Sequence, residues 1–331
     1  MVRAPASGVR GYTMLGKSFL LGAALALGIA PAIAADVAAP KSPASPPPFF
    51  FVNDTQISLW YETNAREPGV FNLANPNGVP ITKGVVSITH FDVWQYGTNF
   101  FNVDFLKSTN KDPTAGNAIG VGDGATEVYG LYRGTLSLNS LSNTKIFTVP
   151  GIIKDVSLGF GFDANTKNTT FAPQKRDVVI GPTVSFDVPG VFNVGLYYYK
   201  EWNHCGIGPL ICTPSVTFKG VPKLEAVYMQ PLTFTGLPLK FSGFANFVWP
   251  KGLDGFGMIP GSPCCKTKQE FLTQNRLVLD IGQLLMGKPN FVDAFIGWQY
   301  WYNKFGNDHR IPANGGSIEN QFVFGLSWHA L

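Results

Sequence analysis

From about residue 55 onward, the chain is a succession of segments in which apolar and polar residues alternate at every second position. That is the spacing of β-strands, whose successive side chains point to opposite faces. The last segment shows it most plainly, with Phe322, Phe324, Leu326 and Trp328 on one parity and Glu319, Gln321, Ser327 and His329 on the other. Val156, Leu158, Phe160 and Phe162 likewise oppose Asp155, Ser157 and Asp163, and Phe192, Val194, Leu196 and Tyr198 oppose Asn193, Tyr197, Tyr199 and Glu201. Twelve such segments can be counted, near 55–63, 84–96, 99–107, 125–138, 152–163, 176–188, 191–202, 217–231, 238–250, 270–281, 291–304 and 317–331. No segment has a helical apolar stripe. An even strand count returns both ends of a single-chain barrel to the same side of a membrane.

Composition decides which face meets what. Charged residues make up 14% of the chain and aromatics 14%, whereas soluble globular proteins average about 25% charged. A soluble β-sandwich turns its polar parity outward. Here Phe, Trp, Tyr and Leu crowd one parity of nearly every segment, more than one central core would need. The arrangement that accommodates them puts that parity against lipid and lines a wet interior with the other. Closure follows, because a sheet edge in hydrocarbon leaves backbone groups unpaired at several kcal/mol each. Trp298, Tyr300 and Tyr302 fall on the outward parity, where an aromatic belt would meet lipid headgroups. The expected fold is all-β, a twelve-stranded antiparallel transmembrane β-barrel of the bacterial outer membrane.

The links between segments are long at 64–83, 108–124, 164–175, 203–216, 251–269 and 305–316, which places six loops on one outer rim. Tight turns are expected at Gly97-Thr98 and Pro189-Gly190, while 139–151 is longer than a turn requires. Segment two breaks parity between Ile88 and Phe91, as a bulge would cause.

At the N-terminus, Arg3, Arg10 and Lys17, an apolar stretch from Phe19 to Ala30 and Ala32-Ile33-Ala34 form an export-signal pattern. The expected organisation is a signal peptide over 1–34, a Pro-rich periplasmic linker over 35–50 and the barrel over 51–331. A net charge of +4 without basic runs gives no support to a nucleic-acid partner.

Several stretches resemble the nucleoside-specific outer-membrane channel family (Tsx-type). They are Gln56-Ile57-Ser58-Leu59-Trp60-Tyr61, Val103-Asp104-Phe105, Tyr132-Arg133-Gly134-Thr135-Leu136-Ser137 and Asn320-Gln321-Phe322-Val323-Phe324-Gly325-Leu326. The resemblance implies a monomeric barrel, inserted by the cell's barrel-assembly machinery, whose narrow lumen binds nucleosides in passage. The chain departs from the family where Tyr129 and Leu131 replace acidic residues before Arg133. The alternative is a general small-solute porin without nucleoside selectivity.

A nucleoside presents a π-face and hydroxyls, so its expected lining is aromatic rings for stacking and carboxylates for the ribose. By parity Glu127, Tyr129, Arg133, Tyr197, Tyr199, Glu201, Arg276, Asp280 and Trp301 form the inward candidate set, with Asp92 and Asp187 also inward. Tyr129, Tyr197, Tyr199 and Trp301 are the stacking candidates. The charged members are expected chiefly as paired acids and bases that brace the interior.

Cys205 and Cys212 fall in one outer loop and Cys264 and Cys265 in another, where an oxidising compartment favours disulfides. Four cysteines leave three pairings open. No metal or cofactor is expected, since the adjacent cysteines lack ligand spacing. Catalysis is not expected either. It would need a nucleophile and a base together on the wall or rim, and the chain has four histidines and no Gly-x-Ser-x-Gly turn.

Overall fold

Strand pairing follows chain order around a closed ring. The computed structural model describes residues 48–170, 174–204, 215–253 and 266–330. The expected signal peptide, most of the expected linker and the four cysteines lie outside them. The strands are β1 (Phe50–Ala65), β2 (Ile81–Trp94), β3 (Gly97–Ser108), β4 (Thr126–Ser137), β5 (Ile153–Lys167), β6 (Arg176–Phe186) and β7 (Val191–His204). They continue with β8 (Ser215–Thr217), β9 (Val221–Pro231), β10 (Leu239–Val248), β11 (Glu270–Asp280), β12 (Val292–Tyr302) and β13 (Ile318–His329). Each pairs antiparallel with the next in the ring, β7 pairing with β9, and β13 returns to β1 from Gln56↔His329 to Glu62↔Val323. The three-residue β8 only extends the outer end of β7, so twelve of the thirteen strands make the barrel wall.

The predicted alternation is realised with the expected sense. Leu59, Tyr61, Phe162, Leu196, Tyr198, Ile296, Phe324, Leu326 and Trp328 are exposed on the outside, and Phe322 is 70% exposed. Each such side chain gains about 1.5–3 kcal/mol on leaving water, and only lipid can cover a belt that runs around the whole ring. No helix among the described residues is long and apolar enough to cross a membrane; the strands make the crossing.

Inside, the apolar content is confined to two small clusters. Trp60, Val85, Val278, Phe295 and Val323 form one, with Leu106 packed against it. Val179, Tyr197, Tyr199, Val221 and Val248 form the other. Gly325 is the position that admits Trp60: a Cβ there would lie 2.4 Å from the Trp60 Cβ.

The local departures have physical causes. The β2–β3 turn is Gln95-Tyr96, and Gly97 and Thr98 already pair with Trp94 and Val93 in the ladder. The expected segment 217–231 is two strands, β8 and β9, interrupted at 218–220 where Gly220 packs under the Tyr198 ring. The expected break in β2 does not occur, since its register with β1 and β3 is continuous from Lys83 to Val93. Asp92 therefore faces outward and not into the lumen. Asp187 is not on a strand but in the 187–190 turn, where its Oδ2 accepts from the Gly151 amide at 3.1 Å.

The rim that carries the chain ends has links at 95–96, 138–152, 187–190, 232–238 and 281–291. Two of these are long because each folds a short helix, α1 (Leu138–Ser142) and α2 (Ile281–Met286). Ser137 caps α1 by accepting from the Ser140 amide. Asp280 caps α2, its carboxylate accepting from the Gln283 and Asn290 amides at 2.7 Å each. That use takes Asp280 out of the lining set.

Candidate functional site in the barrel interior

The inward parity of the strands carries a dense set of ion pairs. At the outer end, Glu67, just past β1, receives Lys83 of β2 at 2.5 Å, Lys167 at the end of β5 at 3.3 Å and Lys304 from the β12–β13 loop at 3.4 Å. Lys304 also reaches Glu319 of β13 at 2.8 Å, and Lys167 reaches Asp112 of the β3–β4 loop at 2.8 Å. Burial raises the Glu67 carboxyl, but Lys167, Lys304 and Lys83 outweigh it and hold it well below the usual carboxylate range. Burial alone would lower the Lys304 ammonium, yet Glu319 and Glu67 raise it above its ordinary value. Two strands and the β12–β13 loop are thereby tied directly to one carboxylate, with β13 and the β3–β4 loop joined to it through Lys304 and Lys167.

Deeper in, Arg133 on β4 donates through Nη1 to Asp163 of β5 at 2.5 Å and through Nε to Glu225 of β9 at 3.1 Å. In the ring β4 and β9 are separated by β5, β6 and β7, so this bridge is a chord across the lumen. Gly161 leaves the floor on which the guanidinium lies: a Cβ there would sit 2.9 Å from Arg133 Cδ. Tyr129 donates to the other Asp163 oxygen at 3.0 Å, and Lys223 pairs with Glu225 at 2.8 Å. Charge-assisted bonds of this kind, fixed at both ends, are the stronger class of hydrogen bond.

The sequence-predicted residues fall into separate groups. Tyr129 and Arg133 meet in the chord. Tyr197 stands beside it, its hydroxyl 2.8 Å from the Thr183 hydroxyl. Tyr199 donates to Glu201 at 2.6 Å, with the Lys223 and Lys175 ammonium groups 5.7 and 6.0 Å from its ring centre. Glu201 in turn accepts from Lys251 at 2.5 Å. Glu127 accepts from Asn165 at 2.8 Å and lies 3.8 Å from Lys83, in the outer network. Trp301 donates to Glu270 at 2.8 Å and has Lys304 over its face at 4.6 Å. Arg276 lies between Trp60 and Phe295, 5.0 and 4.4 Å from their ring centres. The four stacking candidates thus do not form one continuous surface.

Sequence reading missed Glu67 and Lys83 because both fell in what reads as the 64–83 link. Lys83 continues the inward parity of Val85 and Ser87, and that extension was the available signal. At the opposite rim, His329 lies between Asp54 at 2.8 Å and Asp293 at 3.3 Å, and Lys240 pairs with Asp293 at 2.8 Å. Among the described residues no group of His, Cys, Asp and Glu is arranged to hold a metal ion.

No protein-family profile matches the chain, and no curated protein matches it in sequence. Among solved structures it is similar to the translocator domain of the autotransporter NalP from Neisseria meningitidis, at 11% identity over 83% of this chain and 87% of that one, with a TM-score of 0.35. It is also similar to the outer membrane protein OprD from Pseudomonas aeruginosa, at 11% identity over 84% and 93% with a TM-score of 0.34. For OprB from Pseudomonas putida the corresponding values are 9%, 85%, 93% and 0.30.

Proposed function

We propose that the chain is a channel of the bacterial outer membrane that passes small polar solutes, nucleosides foremost among them. One observation carries this reading: a closed ring is apolar on its outside and lined from rim to rim by carboxylates, ammonium groups and amides on its inside. Lipid satisfies the first face, and the second is the kind of lining at which solutes are bound and released. Tyrosines and carboxylates standing on one wall, Tyr129 with Asp163 and Tyr197 near Glu225, favour a solute with a flat ring and hydroxyls. The barrel works as a monomer placed by the assembly machinery.

A second reading, a general small-solute pore without base stacking, is favoured by the engagement of these groups with each other. Tyr129, Tyr199 and Trp301 already donate to carboxylates. Single-channel recording of the purified protein in a planar bilayer separates the two. A current reduced in steps by added adenosine or thymidine is the expected result. A conductance indifferent to both selects the general pore, and a folded protein with no conductance removes the channel reading.

A further inference from the structure

Outside the lumen, four consecutive strands carry a line of polar groups on the wall that faces lipid. Thr55 on β1 sits directly opposite His90 on β2, and Asp92 opposite Asn99 on β3. The Thr55 hydroxyl oxygen is 2.8 Å from His90 Nδ1, and His90 Nε2 is 3.3 Å from an Asp92 oxygen. Asn99 donates its amide to the other Asp92 oxygen at 2.9 Å, and Tyr132 on β4 donates its hydroxyl to Asn99 at 2.7 Å. The neighbours on this face, Ile57, Ile88 and Phe101, are exposed apolar side chains.

Ionisable groups on a lipid-facing wall are costly, and a functional role is the first reading of one. This line is also ordered by chemistry: hydroxyl, imidazole, carboxylate, then two groups that fix the carboxylate. The Asp92 side chain is 7% exposed, while that of His90 is 33% exposed and reachable from outside. Depth adds a second argument. Trp94 follows Asp92 by two residues on the same face, with Tyr96 in the turn beyond, stacked edge to face at 5.4 Å. Interfacial aromatics of this kind sit at headgroup level. Two residues of strand are about 7 Å, which puts the His90–Asp92 pair where the ester carbonyls of a phospholipid lie.

We propose that this line is a hydrolytic site for the acyl esters of membrane phospholipids. Thr55 Oγ attacks the ester carbonyl carbon while His90 takes the hydroxyl proton. The carbon–oxygen bond to the glycerol breaks, and the departing alkoxide takes that proton from His90. Water, deprotonated by His90, then cleaves the acyl–Thr55 ester, releasing the fatty acid and restoring the threonine. Thr55 and His90 are the catalytic residues, and Asp92 positions the imidazole. Direct cross-strand pairing holds the secondary alcohol of Thr55 against its base. His329, which lies between the two carboxylates Asp54 and Asp293, has no hydroxyl in this relation to it among the described residues and lies in the lumen.

The site lies on the outer wall, so it stands or falls independently of any conductance. The test uses the full chain, purified and folded, in detergent micelles mixed with phosphatidylethanolamine and phosphatidylglycerol, with fatty-acid release followed by mass spectrometry. The wild-type protein should release fatty acid, and Thr55→Val and His90→Gln should each lower the rate by about 100-fold or more, with β-sheet circular dichroism unchanged. Asp92→Asn should lower the rate and move the acidic limb of the pH–rate profile, which reports the imidazole acting as base and which a merely structural carboxylate would not move. A fluorophosphonate probe should label Thr55 in the wild-type protein, located by peptide mass. Folded wild type that releases no fatty acid above protein-free micelles overturns the proposal, as does undiminished release by Thr55→Val. Should the variants fail to fold, labelling of wild-type Thr55 decides: a label there supports the site and its absence overturns it.

Discussion

Arg133 donates to carboxylates on β5 and β9, strands that share no backbone hydrogen bond, so its side chain does what the ladder cannot do at that level. Replacing it with glutamine leaves Asp163 and Glu225 facing each other with less compensation, although Lys223 remains on Glu225. Breaking a buried pair on one side costs about 3–5 kcal/mol. Arg133→Gln should therefore lower the unfolding free energy of the barrel, measured by urea titration in lipid vesicles, by an amount in that range, and the single-channel conductance should rise as the chord is lost. That Arg133 points inward is legible in the sequence, because parity alone decides it. Its partner Glu225, 92 positions away, is not legible. Alternation tells which face a residue joins but not which residue it meets across a lumen.

At the level of single strands, the wall tests its own orientation. Phe324 lies at the middle of β13, 47% exposed and stacked on Tyr61 of β1 at 5.7 Å. A charged residue at mid-bilayer on the lipid face costs about 2–4 kcal/mol. Phe324→Arg should destabilise the folded barrel by that amount, whereas Ala115→Ser or Ala118→Ser in the exposed β3–β4 loop should be nearly silent in the same unfolding experiment. Strand existence and order were legible because a half-lipid, half-water strand imposes strict alternation. The misreadings fell where another demand overrides that rule. In β2 the outward His90 and Asp92 and the inward Phe91 invert the apolar-out pattern, so the sequence suggests a bulge. The strand keeps its register because Thr55 and Asn99 satisfy those polar groups across it. Asp280 reads as lining by parity, yet its place at the end of β11 commits it to capping α2.

For the barrel as a whole, the Glu67 hub makes the closure of the outer end depend on pH in a calculable sense. The Glu67 carboxyl is held well below its ordinary value, so the stability it contributes is complete above about 4.3, the unfolded carboxylate value. It is lost as pH falls further, through the lower folded value. Lys304 is raised, so its contribution is complete below about 10.4 and is lost as pH rises through the folded value. Thermal unfolding followed from pH 7 downward should show the hub's contribution lost only below about pH 4.3. The acid shoulder should flatten in Glu67→Gln. A wild-type curve falling steadily from pH 7 to 5 would contradict the hub.

The pairing of β1 with β13 has a consequence for biogenesis. The seam of the cylinder joins the earliest and latest strands of the sequence, so every intermediate that lacks the final hairpin carries two raw edges. Such an intermediate has no stable home in hydrocarbon, where each unpaired backbone group costs several kcal/mol. Commitment to the membrane is a single event, made when the two ends of the sheet meet.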